Sequence, residues 1–216
     1  MAGLPRLLGQ PGSINVRKLL WTAAELGLAE GRDFVREDWG GATRSPQAPQ
    51  FTALNPHAMV PVWVQADGTA RWESNSLCRW LVRQAGDTRL LPGPPWAAAQ
   101  VEQWMDWQIA ELNPAWRAAF LARVRGQPQP ADAVAASLQA WNRQMARLEA
   151  QLQASGAHVT GADFTLADVV LGLSAHRWRH TPMADGERPP LPAVMTWLDR
   201  LGQRPGAAPW LRPEVA

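Results

Sequence analysis

The chain has 216 residues, 46% of them apolar and 19% charged, which excludes a disordered polymer and suits one large domain or two small ones. Its net charge is only +2 although the isoelectric point is near 9.4: Lys18 is the only lysine among 21 basic residues, and with one cysteine and no tyrosine almost nothing titrates just above neutrality. Without a basic run, a second cysteine or a stretch of about eighteen apolar residues, the chain is not expected to bind nucleic acid, form an intrachain disulfide or span a membrane.

The first 86 residues alternate strand and helix signals. "LPRLLG" is short, apolar and bounded by glycine, as a buried strand would be. Val16, Leu19, Leu20 and Ala23 follow at helical spacing, and Gly27 offers a stop. "RDFVREDW" suits a second strand, and one short helix is expected near Pro49 to Leu54 within a Gly/Pro-rich stretch. "VPVWVQADGTARWE" reads as a hairpin turning at Asp67-Gly68. Ser74 then opens a helix that carries Leu77, Leu81 and Ala85 on one side and ends at Gly86. The order β-α-β-(α)-β-β-α implies a small mixed sheet with helices on its faces.

Residues 87–97 read as a linker, because Pro92, Pro94 and Pro95 around Gly93 forbid a continuous helix. Residues 98–216 then show only helical patterns. The first long helix carries Pro114, which should kink or break it. Val134, Leu138, Trp141, Met145, Leu148 and Leu152 define the second. The third opens on a capping box formed by Thr165 and Asp168, and "LPAVMTWLDRLGQ" supplies a fourth.

Three stretches of the first half stand in order: Ser13 and Asn15 at a helix start, "NPHAMVP" before a strand, and "WESNSLCRWL" at a second helix start. With "FTLADVVLG" in the helical half, they resemble a glutathione S-transferase. The nearest likeness is to bacterial cytosolic members with an S-x-N-V-x-K first helix, here Ser13, Asn15, Val16 and Lys18. The resemblance implies an α+β chain: a thioredoxin-like glutathione-binding domain over 1–86, a linker, and an all-helical domain. It also implies a cytoplasmic homodimer that uses glutathione as co-substrate and needs no metal. The stretch "MAGLPRLLGQPGS", interrupted by Arg6, agrees in lacking a secretory apolar core. Phe51 is a possible apolar key at the dimer interface.

On this resemblance Ser13 and Asn15 are the catalytic candidates. A free thiol ionises near pH 8.5, and a hydroxyl aimed at sulfur from a helix start can favour the thiolate. From the residues alone, either side chain could merely cap the helix. Without tyrosine, a tyrosine-based mechanism is excluded. Cys78 lies mid-helix, where a buried small hydrophobe is expected.

Pro61 is expected to be cis, presenting the main chain of Val60 to the tripeptide's cysteinyl unit. Met59 stands where many members carry a cation, and His57 is read as a loop-surface histidine. Glu73 would accept from the γ-glutamyl ammonium, and Ser74 at a helix N-terminus would hold a carboxylate. Trp104, Trp107 and Trp116 are the candidate wall of a second-substrate pocket, with core packing as the alternative for each. The implied reaction is conjugation of the glutathione thiolate to small hydrophobic electrophiles. Glutathione-dependent reduction of disulfides or peroxides, and a binding module without turnover, are the competing readings.

Overall fold

Four short strands organise the N-terminal half in the computed structural model, which describes residues 3–41 and 44–212. The chain divides into two units, Met1–Leu91 and Pro92–Ala216. The first contains β1 (Arg6–Leu8), α1 (Ile14–Glu25), β2 (Val35–Glu37), α2 (Pro49–Thr52), β3 (Val62–Val64), β4 (Ala70–Trp72) and α3 (Ser74–Gln84). The sheet order is β2-β1-β3-β4, with β1 parallel to β2 and the other pairs antiparallel. This is the small mixed sheet that the element order implied, in the thioredoxin-like topology that the resemblance implied.

Alternation along β3 assigns its two faces. Val62 and Val64 join Leu8, Trp39 and Phe51 in one apolar cluster. Trp63 points the other way, with its ring 5.6 Å from Trp80 of α3. α1 and α3 pack on each other, and Val16, Leu19, Leu20 and Ala23 are buried as their spacing requires. Phe51 is fully buried 5.0 Å from the Trp39 ring. It therefore fills its own subunit's core and is not an exposed key for a partner.

The β3–β4 turn is one residue longer than a two-residue hairpin. Gln65 and Thr69 close it, with the Gln65 N–H 2.8 Å from the Thr69 carbonyl. Gly68 takes φ +87°, and the Asp67 carboxylate accepts from the Thr69 N–H at 2.8 Å. A glycine at positive φ is what such a three-residue loop requires.

The strand-to-helix junction after β1 also depends on a glycine. Gly9 has φ +154°, and a Cβ there would lie 2.4 Å from Val16 Cγ2 and 3.3 Å from Val60 Cβ. The first turn of α1 and the loop before β3 can close on β1 only because no side chain stands between them.

The second unit is helical: α4 (Pro95–Trp107), a π-helical turn (Gln108–Leu112), α5 (Asn113–Arg123), α6 (Ala131–Ser155), α7 (Leu166–His180) and α8 (Pro192–Gly202). Pro114 neither ends the helical path nor simply kinks it. Its ring excludes the carbonyl four residues back, and the chain widens into the π turn just before it. α7 is the central helix, buried at every residue from Leu166 to Trp178. The Thr165–Asp168 capping box opens it. The Asp168 carboxylate accepts from the Thr165 N–H at 2.9 Å, the Thr165 hydroxyl at 3.2 Å, the Val159 N–H at 3.0 Å and the Trp197 indole at 2.9 Å. One buried side chain thus joins α7, the loop before it and α8.

Asp168→Asn keeps the shape but turns one acceptor into a donor facing donors. We expect a loss of about 2–3 kcal/mol, seen as a fall in Tm of roughly 5–10 °C; a fall below about 2 °C would contradict this account. Gly9→Ala should lower Tm by more than Gly27→Ala. Both positions have positive φ, but at Gly27 a Cβ meets nothing within 4 Å.

Candidate active site

The turn from β1 into α1 is held by main-chain bonds, with Gln10 Oε1 accepting from the Gly12 N–H at 3.1 Å and Arg36 donating to the Gly9 carbonyl at 3.4 Å. Gly9 N–H donates to Glu37 O at 2.8 Å, Gln10 N–H to Trp39 O at 3.0 Å and Ser13 N–H to Gln10 O at 3.1 Å. Ser13 occupies the N-cap position in an extended conformation, φ −85° and ψ 124°, yet its hydroxyl makes no cap hydrogen bond. Its carbonyl accepts from the Arg17 N–H at 3.0 Å. The first turn of α1 carries no acidic side chain, so its positive end has no local counter-charge. Half-buried Asn15 follows, with a buried Oδ1 that has no hydrogen-bond partner among the described residues. Both sequence candidates therefore sit at the same helix start, and neither spends its side chain on capping.

The peptide bond between Val60 and Pro61 is cis. The loop before it is tied locally: Asn55 Nδ2 donates to Met59 O at 2.7 Å, and Asn55 Oδ1 accepts from the His57 N–H at 3.1 Å. No loop or turn hydrogen bond between main-chain groups engages Val60 among the described residues. Met59 is 63% exposed. His57 is exposed too, edge-on to Trp72 with ring centroids 4.7 Å apart.

α3 begins with Glu73 rather than Ser74 as its cap. Glu73 takes φ +80°, and its carboxylate accepts from the Ser76 N–H at 2.9 Å and from the Ser74 hydroxyl at 3.4 Å. Ser74 is buried and shares its surroundings with Lys18 of the S-x-N-V-x-K motif. The Lys18 side chain runs from α1 to α3, where Nζ donates to Asn75 Oδ1 at 3.0 Å and to Ser74 Oγ at 3.5 Å. Lys18 is 0% exposed. The signal was present in the sequence: a solitary lysine directly preceding Leu19 and Leu20 of an apolar face. Asn75 carried no such signal.

Cys78, in the same helix, is fully buried. Burial pushes its thiol up to about 12, against the opposing effects of the neighbouring Thr22 hydroxyl and the Lys18 charge. It stays protonated and out of reach, so the protein offers no nucleophilic sulfur here.

The three tryptophans separate within the helical unit. Half-buried Trp104 and Trp107 on α4 meet edge to face at 5.2 Å. Trp116 belongs to another cluster. Its indole donates to Asn113 Oδ1 at 3.0 Å, Phe120 lies 5.2 Å from it, and the Arg177 guanidinium stacks 4.7 Å from its centroid. Among the described residues, no three His, Cys, Asp or Glu side chains gather as metal ligands, and no helix is long and apolar enough to cross a membrane.

Residues 12–84 match the family model "Glutathione S-transferase, N-terminal domain", and residues 131–200 match "Glutathione S-transferase, C-terminal domain". Glutathione S-transferase GstB of Escherichia coli strain K12 is 30% identical over 202 residues, covering 92% of this chain and 93% of that protein. Glutathione S-transferase 3 of Zea mays is 29% identical, covering 93% of this chain and 90% of its own. The theta class glutathione S-transferase of the citrus canker pathogen Xanthomonas axonopodis pv. citri, crystallised with glutathione bound, superposes with a TM-score of 0.85 at 32% identity and covers 96% of each chain. With both halves matched and identity sustained over nearly the whole length, this chain belongs to the glutathione S-transferase family.

Proposed function

We propose that this protein binds glutathione on its N-terminal unit and transfers the thiolate to small hydrophobic electrophiles, acting in the cytoplasm as a homodimer. The observation that carries the reading is the uncommitted Ser13 hydroxyl at the start of a twelve-residue helix. Lowering a thiol's ionisation by about two pH units needs about 2.7 kcal/mol of preference for the anion. One hydrogen bond to a charged group contributes about 1.5–3 kcal/mol, and a helix N-terminus adds about 0.3–1 kcal/mol. A single hydroxyl at this place is therefore sufficient. Asn15 is the second donor to sulfur. The thiol proton leaves to solvent, the sulfur lone pair forms the bond to carbon, and the leaving group departs with its electron pair.

The rest of the tripeptide has partners of suitable chemistry. The Val60 main chain can pair with the cysteinyl unit as an added strand would, positioned by Met59, Val60 and Pro61 in sequence. Ser74 at the start of α3 receives the γ-glutamyl carboxylate, and the remaining acceptor capacity of Glu73 serves the ammonium. The Trp104–Trp107 pair is the aromatic surface for the second substrate; Trp116, committed to its own cluster, is not needed for it. The glutathione-bound Xanthomonas relative supports the choice of ligand.

Ser13→Ala should reduce kcat by roughly 10–100-fold while leaving glutathione affinity within about threefold, as expected for a bond that counts mainly for the thiolate. Ultraviolet titration of bound glutathione should show its thiol ionising about two pH units lower in the native protein than in the variant. Turnover should accordingly be nearly flat above pH 7 for the native protein and still rising towards pH 9 for Ser13→Ala. An unshifted midpoint in the native protein would overturn the assignment. Assaying a haloaromatic, a mixed disulfide and a hydroperoxide side by side separates conjugation from reduction. Met59 leaves one glutathione carboxylate without a cation, so Met59→Lys should tighten binding about threefold, the modest gain expected at an exposed position; thermal-shift titration with glutathione reads this directly. No shift at millimolar glutathione for either protein would favour a binding module for another ligand.

A further inference from the structure

We propose that Lys18 is a positioning residue that fixes the hydrogen-bond polarity at the start of α3, and so makes Ser74 a donor selective for a carboxylate. The inference deepens the glutathione reading and rests on it.

The argument begins with what each group can do. An ammonium has three N–H donors and no acceptor, whereas a serine hydroxyl can donate once and accept twice. Left to itself, buried Ser74 could point its proton in either direction and accept a ligand donor as readily as it meets an acceptor. Lys18 Nζ stands 3.5 Å from Ser74 Oγ. From that side the oxygen can only accept, so its proton is directed away from Lys18. In the present geometry that proton goes to Glu73 Oε1 over a long 3.4 Å, a weak bond that a ligand carboxylate can replace. The same ammonium, 3.0 Å from Asn75 Oδ1, fixes the Asn75 amide with its oxygen towards α1. Lys18 is fully buried and anchored in α1 by its neighbours Leu19 and Arg17, also buried, so this polarity is built into the packing of α1 on α3. It requires no rearrangement when a ligand arrives. The buried positive charge adds to the helix N-terminus in favouring an anion.

Ser13 and Lys18 lie on the same helix five positions apart. α1 thereby serves two ends of one ligand: its N-terminus meets the sulfur, and its interior supports the hydroxyl for the γ-glutamyl carboxylate.

Three measurements test this. The first uses γ-aminobutyryl-cysteinyl-glycine, which lacks only the α-carboxylate of the γ-glutamyl residue. The native protein should bind glutathione about tenfold or more tightly than this analogue, and Lys18→Met should shrink that preference to about twofold, with the loss in KM rather than in kcat. In a Ser74→Ala background, Lys18→Met should have little further effect on glutathione affinity, since the two act as one unit. The third measurement needs no variant. Because Lys18 is the only lysine, protein labelled with 15Nζ-lysine gives a single side-chain signal, which should move on adding glutathione and hardly move on adding the analogue. It decides the matter even if Lys18→Met does not fold. A native preference for glutathione that persists in Lys18→Met, or a labelled signal indifferent to the carboxylate, would overturn the role of Lys18 while leaving the glutathione reading intact. Failure of the native protein to bind glutathione at all would overturn both.

Discussion

The N-terminal unit depends on a close approach of three chain segments around an absent side chain. The end of β1, the first turn of α1 and the loop before Pro61 converge at Gly9, where any Cβ would collide with Val16. Gly40, at φ +85°, meets the other side of the same Val60, with its ideal Cβ position 3.4 Å from a Val60 methyl. Two glycines therefore bracket Val60, the residue proposed to offer its main chain to glutathione. Close packing is what gives this approach consequences. A well-packed interior transmits a displacement of one element to its neighbours, so the position of the Ser13 hydroxyl is set by how tightly Val16 can settle on Gly9.

Much of this was legible in the sequence because it rests on local chemistry. The hairpin followed from Asp67-Gly68 between apolar runs, and the start of α7 from Thr165 and Asp168. Both devices are complete within a few residues. The failures share the opposite property. Phe51 lies in a loop-rich stretch and looked available, but its burial against Trp39 comes from a sheet face assembled from distant strands. For Trp116, left open between pocket wall and core packing, a π turn lies between it and Trp107, and Arg177, 61 residues on, completes its surroundings. Pro114 announced a disturbance but not its form, because widening, kinking and stopping all relieve the same clash.

Two cap positions show how the same residue type can be read correctly in place and differently in role. Ser13 was legible as a helix start, and its missing cap bond is a property of side-chain orientation that spacing does not encode. At α3 the reverse holds. Ser74 begins the helix as expected, but Glu73 provides the cap from a positive-φ conformation that non-glycine residues seldom adopt. A carboxylate held in this way serves its own helix first. On the proposed reading the ligand-facing task then falls more heavily on Ser74, whose hydroxyl lies 3.5 Å from the ammonium of a lysine 56 positions away.

Cys78 shows why, on the proposed reading, the reactive sulfur must come from the ligand. The protein's single thiol lies on the buried face of α3, and burial holds it near 12 even though a hydroxyl and an ammonium both act to lower it. The contrast with the proposed ligand thiol isolates the governing variable. Polar contacts worth a few kcal/mol do not ionise a thiol from which water is wholly excluded. At the start of α1 Ser13 is only half buried, so a comparable contact there need not work against full desolvation. The same scale of hydrogen bonding thus leaves one sulfur inert and, on the proposed reading, is sufficient to activate another. Position relative to solvent, more than the identity of the donor, separates a structural cysteine from a site able to generate a thiolate.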